Sequence, residues 1–383
     1  MKLSGKTELV EYIKDIIKSK GAISFRDFME MALYHSEYGY YTSNKQKIGG
    51  FGDYFTSSEL DPIFGQLLAK QFIEIYERYF KDQHIHIVEV GSGKGYLLHD
   101  VVRYVKDKYP DIYRNIKFLS VEKSDYHRQL QRELLKDFDN IEYYQDISDI
   151  HPIKGIIYSN ELFDAIPTHM IKVKDGKVYE IFLTLDQEDN VVEIEKEISE
   201  EIRKYIEDLD IKLPDNITTE INTDAIKVIS MLADKLEKGF VFTIDYGYPS
   251  RELYKPYRSR GTLICYYKHT YNENYYQNVG LQDITSHVNF SAISYYGGKS
   301  GLKTVGFTDQ AHFLINLGLA EELNNLYEKG DYKSYEKANR LKTLILPKGM
   351  GEKFKILIQS KNIQNPQLEG LKITPPQTDR YKL

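Results

Sequence analysis

From His84 onward the chain alternates short apolar runs with longer amphipathic segments, and this alternation limits its fold more than any other feature. The runs HIHIVEVG, KFLSVEK, IEYYQD and KGIIYSNEL have the length of strands, while YLLHDVVRYVKDKY and DYHRQLQRELLKDF place apolar residues at helical spacing. Strands that alternate with helices form a parallel sheet with helices on both faces. The sequence therefore predicts an α/β fold, to which FKILIQSK adds a late strand.

The segments outside this pattern divide the chain further. Two amphipathic segments near the N-terminus predict helices, and 170–198 alternates polar with apolar residues around an Asp175-Gly176 turn, which predicts antiparallel hairpins inserted in the fold. A tail with three prolines is predicted to be irregular or mobile. The predicted segments are a helical extension with a covering loop over 1–83, a first core part over 84–169, the insertion over 170–221, a second core part over 222–361 and the tail over 362–383.

Composition and charge exclude several classes of protein. Of the 383 residues 57 are acidic and 51 basic, and the net charge of −6 argues against a nucleic-acid partner held by charge. The single cysteine, Cys265, excludes an internal disulfide, and no metal is predicted because no His, Cys and Asp grouping has ligand spacing. Without an apolar run of ~18 residues or a targeting segment, we expect a cytoplasmic protein with no membrane partner. A homodimer is compatible with these features.

A glycine loop follows the first strand of the alternating region. The segment EVGSGKG, over 89–95, places Gly91, Ser92, Gly93 and Gly95 between a strand and a helix, at the edge where open α/β sheets bind ligands. Glycines at this position let the chain turn sharply and let a ligand approach the main chain. A tight turn without a ligand is the alternative interpretation.

The details of this loop favour S-adenosylmethionine over a dinucleotide. In the dinucleotide fingerprint the third glycine comes one position later and the ribose-binding acid follows about 20 residues on, whereas Glu122 lies roughly thirty residues on. Glu89 would repel a pyrophosphate but stabilises a sulfonium and an ammonium group. Glu122 can accept the ribose hydroxyls, and Asp146, after the third strand, can accept the adenine amino group. Each acid taken singly can equally be a solvated strand end.

Eight short motifs between about residues 21 and 361 carry a resemblance to a known family. They are YGYYT at 38–42, GDYFTSSEL at 52–60, VEVGSGKG at 88–95, NELFDAIP at 160–167, IDYGY at 244–248, GTLICYYKH at 261–269, DITSHVNF at 283–290 and LPKGMGEKFK at 346–355. Together they resemble the MidA family of S-adenosylmethionine-dependent methyltransferases. The glycine loop is shared by many methyltransferases, whereas NELFDAIP, DITSHVNF and LPKGMGEKFK are specific. Ser36 and Ser58 stand where we expect proline, which bears on loop rigidity.

The resemblance implies a class I methyltransferase-like Rossmann sheet, mostly parallel with a late antiparallel strand, with an N-terminal helical extension and an inserted subdomain of strands and helices. It implies S-adenosylmethionine as cofactor. Its mitochondrial members are complex I assembly factors that methylate a protein arginine, which implies an arginine side chain of a protein as substrate. Gly52, Asp53, Thr56 and Ser57 are then expected to cover the cofactor as a lid; a plain helix cap at Ser57 or Ser58 is the alternative.

The segment NELFDAIP follows the fourth strand and carries the predicted catalytic carboxylates. A pair of carboxylates can hold the planar guanidinium fork and direct one nitrogen at the methyl group. Glu161 and Asp164 lie one turn apart if the segment is helical, and Asn160 can hold the amino-acid part of the cofactor together with Glu161. Stabilisation of a helix N-terminus is the alternative role of the two acids. His269 and His287 are candidate proton acceptors, although a loop histidine is more often structural.

Three functions remain open at this point. A protein arginine methyltransferase is favoured by the resemblance, and the segments 170–198 and 246–288 are long enough to form a groove for a polypeptide. A small-molecule methyltransferase has the same core and would use those segments as a closed lid. A non-catalytic assembly factor that binds the cofactor for stability alone would have no need of Glu161 and Asp164.

Overall fold

The computed structural model describes residues 2–42, 61–347 and 349–383. The chain forms two compact units, each assembled from separate stretches of sequence. We call one the Rossmann unit; its described residues lie within 61–162, 229–247 and 294–383. We call the other the inserted unit; its described residues lie within 2–42, 163–228 and 248–293.

The helices and strands are numbered in chain order. The helices are α1 Thr7–Lys20, α2 Phe25–Tyr34, α3 Ile63–Tyr79, α4 Tyr96–Lys108, α5 Pro110–Tyr113, α6 Asp125–Leu134, α7 Glu200–Asp208, α8 Asp224–Lys235, α9 Ser250–Leu253, α10 Phe290–Lys299, α11 Gln310–Asn316, α12 Leu319–Lys329 and α13 Tyr332–Lys342. The strands are β1 Ile23–Ser24, β2 Ile85–Val90, β3 Ile116–Val121, β4 Ile141–Tyr144, β5 Ile153–Asn160, β6 His169–Lys174, β7 Lys177–Leu185, β8 Val191–Glu197, β9 Thr218–Ile221, β10 Leu236–Tyr248, β11 Ile264–Tyr267, β12 Thr270–Asn272, β13 Asp283–Thr285, β14 Val288–Asn289, β15 Lys303–Asp309 and β16 Phe354–Lys361.

The sheet of the Rossmann unit has the strand order β15-β16-β10-β5-β2-β3-β4. The pairs β4-β3, β3-β2, β2-β5 and β5-β10 are parallel, whereas β16 is antiparallel to both β10 and β15. The predicted α/β fold with a mostly parallel sheet and a late antiparallel strand is confirmed. The chain runs from β2 outward through β3 and β4 and then returns to β5 on the other side, so the strand order reverses between β2 and β5. A crevice for a ligand is expected at the carboxyl ends of these two strands.

Helix α3 covers one face of this sheet through its apolar side chains. Phe72 lies 5.2 Å from the ring of Tyr158 and 5.4 Å from that of Phe242, and all three are buried. Each large apolar side chain that is fully buried contributes about 1.5–3 kcal/mol to stability. Gly65 allows α3 to approach α4, since a Cβ at this position would come within 2.7 Å of the Asp100 Cβ. The packing holds β5 and β10 against α3.

The inserted unit contains two antiparallel sheets. One has the order β1-β7-β6-β9, with β8 paired to β7, and the other has the order β12-β11-β13. Helices α1 and α2 share a hydrophobic core with the larger sheet, in which Leu9, Ile13 and Phe28 are buried together with Met170 and Ile181. The unit therefore includes the N-terminal helices and much of the 248–293 segment in addition to the hairpins between 170 and 221. The N-terminal helices belong to it because the hairpin sheet covers their apolar faces.

The C-terminal tail is irregular apart from a short 3₁₀ turn over Glu369–Leu371. It nevertheless makes specific hydrogen bonds to α3. The main-chain N–H of Gly370 donates to Oε1 of Gln71 at 2.9 Å, and the Arg78 guanidinium donates to the main-chain carbonyl of Gln367 at 3.0 Å. Gln71 is fully buried, so the tail supplies a partner for a polar group that has left water.

Candidate functional site

The glycine loop lies at the carboxyl end of β2, beside the point where the strand order reverses. Gly91, Gly93 and Gly95 have φ angles of 74°, 51° and 85°, in the left-handed region that glycine adopts without steric cost. The Gly91 N–H donates to the Val121 carbonyl at 2.9 Å, and the Gly95 N–H donates to the Ser92 carbonyl at 2.8 Å. Among the described residues, a Cβ at Gly93 would meet no atom within 4 Å, which leaves space for a ligand beside the main chain at that position.

A buried polar network supports the loop from beneath. The hydroxyl oxygens of Ser92 and Ser120 are 2.9 Å apart, Ser120 donates to Oε1 of Gln131 at 2.6 Å, and Nε2 of Gln131 donates to the Gly93 carbonyl at 2.6 Å. All three side chains are buried. Ser120 and Gln131 are not among the predicted site residues. The available signal was a polar stripe on the buried face of α6, where His127, Arg128 and Gln131 occupy positions that usually carry apolar residues.

Glu122 follows β3 and reaches the glycine loop. Its Oε2 accepts the Gly93 N–H at 2.9 Å, and its Oε1 accepts the Ser124 N–H at 2.8 Å. The side chain is 12% exposed, so the carboxylate is largely removed from water. Each carboxylate oxygen has a second lone pair, and these remaining lone pairs can accept two hydroxyl groups of a ligand.

Glu89 lies fully within the protein at the end of β2. Burial raises the pKa of its carboxyl to about 8, although the hydrogen bonds from the Tyr158 hydroxyl, at 3.2 Å, and from the Leu98 main-chain N–H act in the opposite direction. The carboxyl is therefore protonated for much of the time near neutral pH. A cationic ligand in the crevice would favour its ionised form.

Asp146 follows β4 and caps the 3₁₀ turn Ile147–Asp149. Its Oδ1 accepts the Ser148 N–H at 2.8 Å and the Ser148 hydroxyl at 2.7 Å, and these two bonds lower the pKa of the carboxyl despite some desolvation. The adenine contact expected of this residue remains a prediction. The predicted lid residues, Gly52, Asp53, Thr56 and Ser57, lie outside the described residues.

Asn160 and Glu161 lie at the carboxyl end of β5, the strand that pairs with β2. The Asn160 amide donates to Oε1 of Glu161 at 3.1 Å, and the Glu161 N–H donates to the Ile244 carbonyl at 3.0 Å. Glu161 has a φ of 53°, which is uncommon for a residue other than glycine, asparagine or aspartate. Backbone strain of this kind concentrates at functional positions, where the surrounding structure maintains it.

The segment 161–168 is not helical, so the expected one-turn spacing of Glu161 and Asp164 on a helix is corrected. The left-handed φ of Glu161 ends regular structure at once, and Pro167 disfavours helical torsion angles in the residue before it. The two acids are three residues apart in an irregular segment, and Asp164 is buried. Their catalytic roles remain predictions.

The two predicted histidines lie in different local structures of the inserted unit. His287 is half-buried. Its main-chain N–H donates to Oγ1 of Thr262 at 2.9 Å, and its ring centroid lies 5.5 Å from that of Tyr248. His269 is exposed and forms, with Lys268, the two-residue turn between β11 and β12. Both turn residues have positive φ angles, 48° and 62°, which is typical of a type I′ hairpin turn. The hairpin turn therefore gives His269 a structural role, whereas His287 lies at a half-buried position.

The described residues contain neither a candidate metal site nor a candidate membrane span. Within 2–42, 61–347 and 349–383 no three His, Cys, Asp or Glu side chains converge in a way that could hold a metal ion. Over those ranges, none of the helices combines the length and apolar character needed to cross a bilayer.

The sequence matches a known family and several curated relatives. The model of the family described as "Putative S-adenosyl-L-methionine-dependent methyltransferase" matches residues 67–308. The protein arginine methyltransferase NDUFAF7, mitochondrial, of Danio rerio is 25% identical over 394 residues, which cover 96% of this chain and 91% of that protein. The protein of the same name from Xenopus tropicalis is 26% identical over 375 residues, which cover 88% of this chain and 82% of that protein.

A solved structure is similar over nearly the whole chain. It is the crystal structure of a protein from Burkholderia thailandensis bound to S-adenosyl-homocysteine, with a TM-score of 0.85 and 27% identity, and the match covers 96% of this chain and 95% of that chain. S-adenosyl-homocysteine is what remains of S-adenosylmethionine after the methyl group has left. The bound product in that protein agrees with the cofactor expected from the glycine loop.

The relatives also correct one expectation. The predicted cytoplasmic location is wrong, since the curated relatives that match most of the chain are named as mitochondrial proteins. A single cysteine reports on the redox state of a compartment and does not distinguish one reducing compartment from another. By the match to more than half of its length, the chain belongs to this family of S-adenosylmethionine-dependent methyltransferases, and S-adenosylmethionine is its cofactor.

Proposed function

We propose that this chain transfers methyl groups from S-adenosylmethionine to arginine side chains of a protein. The observation that carries the proposal is that relatives matching about nine-tenths of the chain are named protein arginine methyltransferases. Glu161 follows β5 directly and Asp164 lies three residues further along the chain, and both carry the carboxylate that such a reaction needs. A subunit of a respiratory complex is the acceptor that the family resemblance favours.

The residues around the glycine loop fit the cofactor. The main chain at Gly93 is open on the side where a Cβ would project, Glu122 has lone pairs left for two hydroxyls, and Glu89 can offer negative charge to a cationic group. When bound, S-adenosylmethionine supplies an electrophilic methyl group; its carbon–sulfur bond breaks while a carbon–nitrogen bond forms on the acceptor, which releases one proton. The loop and Glu122 hold the donor still while an acceptor is presented.

The acceptor nitrogen requires orientation and a route for its proton. Arginine is a poor nucleophile because its pKa exceeds ~12, so the enzyme must direct one nitrogen at the methyl group. We assign this orientation to the carboxylates of Glu161 and Asp164, which can accept from the guanidinium fork. The proton passes to Asp164 or to His287, both of which are sheltered from solvent, in preference to the exposed His269.

The test uses S-adenosylmethionine with a tritiated methyl group and a protein extract from cells of the source organism that lack this chain. We expect the purified enzyme to label a protein, and hydrolysis followed by mass spectrometry to identify methylated arginine. The Glu161→Gln variant serves as the inactive control. Label found only on lysine, or only in the small-molecule fraction, would contradict the proposal and favour a different acceptor.

A further inference from the structure

Three consecutive main-chain carbonyls of the segment 164–166 accept hydrogen bonds from three separate parts of the inserted unit. The Ser286 N–H donates to the first carbonyl at 3.0 Å, the Tyr34 hydroxyl donates to the second at 3.0 Å, and the Asn222 side-chain amide donates to the third at 3.1 Å. We call this arrangement the carbonyl clamp. It ties the segment that carries Asp164 to α2, to the end of β13 and to the turn before α8.

The Tyr34 hydroxyl is itself supported by a second tyrosine. The Tyr34 ring stacks on the Tyr41 ring, with centroids 5.5 Å apart and planes 21° apart. The Tyr41 hydroxyl lies within hydrogen-bond distance of both carboxylate oxygens of Asp283, at 2.9 Å and 2.8 Å, and Asp283 is fully buried. Because a stacked ring cannot swing freely, the Tyr34 hydroxyl is presented to the carbonyl at a fixed position.

The clamp fixes the orientation of consecutive peptide planes. Residues 163–168 are all buried, so their main-chain carbonyls need partners within the protein. Each hydrogen bond restrains one carbonyl direction, and three in a row leave little freedom to the torsion angles between them. The direction in which the Asp164 side chain leaves the main chain is set by those torsion angles.

We propose that Tyr34 is a positioning residue for methyl transfer, acting through the Ala165 carbonyl on the segment that carries Asp164. The proposal deepens the proposed function and rests on it. It also gives the N-terminal helices a role in the reaction, because α2 contributes a hydroxyl to the clamp in addition to the apolar side chains that it packs into the core. The alternative is that Tyr34 contributes to stability alone.

Two variants each remove one bond of the clamp. Tyr34→Phe deletes the hydroxyl and keeps the stacked ring. Asn222→Asp replaces the donating amide by an acceptor but keeps the Oδ1 that accepts the Ala225 N–H at 2.9 Å, so the start of α8 stays capped. Tyr12→Phe is the matched control; Tyr12 lies on α1, and its residue is 42% exposed.

Two readouts separate positioning from stability. The first is the rate of label transfer from S-adenosylmethionine to protein, together with the stoichiometry and Kd of cofactor binding by calorimetry. We expect kcat to fall about 10- to 100-fold in Tyr34→Phe and Asn222→Asp, as for small misplacements of reacting groups, with full stoichiometry and a Kd within twofold of the wild type. The second is hydrogen exchange over 163–168, which we expect to become about tenfold faster in both variants and unchanged in Tyr12→Phe.

The outcomes bear on the two proposals differently. An unchanged kcat in both variants, or a kcat that falls only in proportion to the loss of binding stoichiometry, would overturn the positioning role. Unchanged exchange over 163–168 would show that the clamp does not restrain the segment and would overturn it as well. The wild-type enzyme could label no protein at all while hydrogen exchange over 163–168 responds in the variants as expected. That result would contradict the proposed function, and with it the role of Tyr34 in catalysis.

Discussion

The side-chain amide of Gln131 donates to the main-chain carbonyl of Gly93 at 2.6 Å, which connects α6 to the glycine loop after β2. The same side chain accepts from the Ser120 hydroxyl at 2.6 Å and is fully buried. The loop therefore does not depend on its glycines alone. Its shape is maintained from beneath by a glutamine that touches both the loop and the neighbouring strand.

We expect Gln131→Ala to weaken cofactor binding about tenfold. The substitution leaves the partly buried Gly93 carbonyl and the buried Ser120 hydroxyl without this partner, and a buried group that loses its partner costs about 1–3 kcal/mol. Part of that cost is the free energy needed to order the loop when the ligand binds. A tenfold change in Kd corresponds to 1.4 kcal/mol. Calorimetric titration with S-adenosylmethionine measures the effect. Glu133→Gln, on the same helix at a side chain 76% exposed, is the control; equal Kd values in the two variants would refute the supporting role.

Glu89 makes stability depend on pH. Burial raises the pKa of its carboxyl to about 8, against 4.5 for the exposed group. Between these values the folded state keeps a proton that the unfolded state has lost, so the free energy of unfolding falls as pH rises toward 8 and levels off above it. In Glu89→Gln this contribution is absent. We expect the stability of the wild type relative to this variant to fall between pH 5 and pH 9, by about 5 kcal/mol at most.

Urea unfolding at several pH values measures this difference. Glu188→Gln, at an exposed turn position, is the control and should follow the wild type throughout. If the free energies of unfolding of the wild type and of Glu89→Gln change in parallel with pH, the carboxyl titrates alike in the folded and unfolded states and the prediction is wrong.

The local pattern of the sequence was sufficient for the parallel part of the sheet and for the glycine loop, because apolar strands and glycine turns are specified by neighbouring residues. It was not sufficient for β15, since KTVGFTD has little apolar periodicity and becomes a strand by pairing with β16. The irregular course of 161–168 depends on the left-handed Glu161, and the clamp on 164–166 depends on side chains distant in sequence. Contacts of that kind leave no periodic signal.

We expect Glu161→Gln to abolish most methyl transfer while the protein still binds its cofactor. Glutamine has the size of glutamate and tolerates the same backbone angle equally well, but it cannot place a negative charge beside a guanidinium. A fall in kcat of about 100-fold is expected when the acceptor nitrogen is no longer oriented toward the methyl group, with the Kd of S-adenosylmethionine within threefold of the wild type. Label transfer and calorimetry give the two quantities. Glu197→Gln, on the exposed strand β8, is the control, and full activity in Glu161→Gln would remove this residue from the mechanism.

Variants at Gly93 and Gly95 distinguish the contribution of the loop to stability from its contribution to cofactor binding. Both have left-handed φ angles, so an alanine at either position costs roughly 1–2 kcal/mol of stability. A Cβ at Gly95 would also come within 2.9 Å of the Gln131 Cγ, and such overpacking costs about 1–3 kcal/mol more. A Cβ at Gly93 meets no atom of the described residues within 4 Å, and we expect the cofactor to occupy the space into which it points.

We therefore expect Gly95→Ala to lower the Tm of the free protein more than Gly93→Ala does, and Gly93→Ala to lose more of the cofactor-induced rise in Tm. A ligand that binds only the folded state raises Tm in proportion to its affinity and concentration, so thermal unfolding with and without S-adenosylmethionine gives both quantities from one series. Each variant is the control for the other, since the backbone penalty is common to them. If Gly93→Ala keeps the full rise in Tm, the open side of Gly93 does not face the cofactor, and the ligand must approach the loop from another direction.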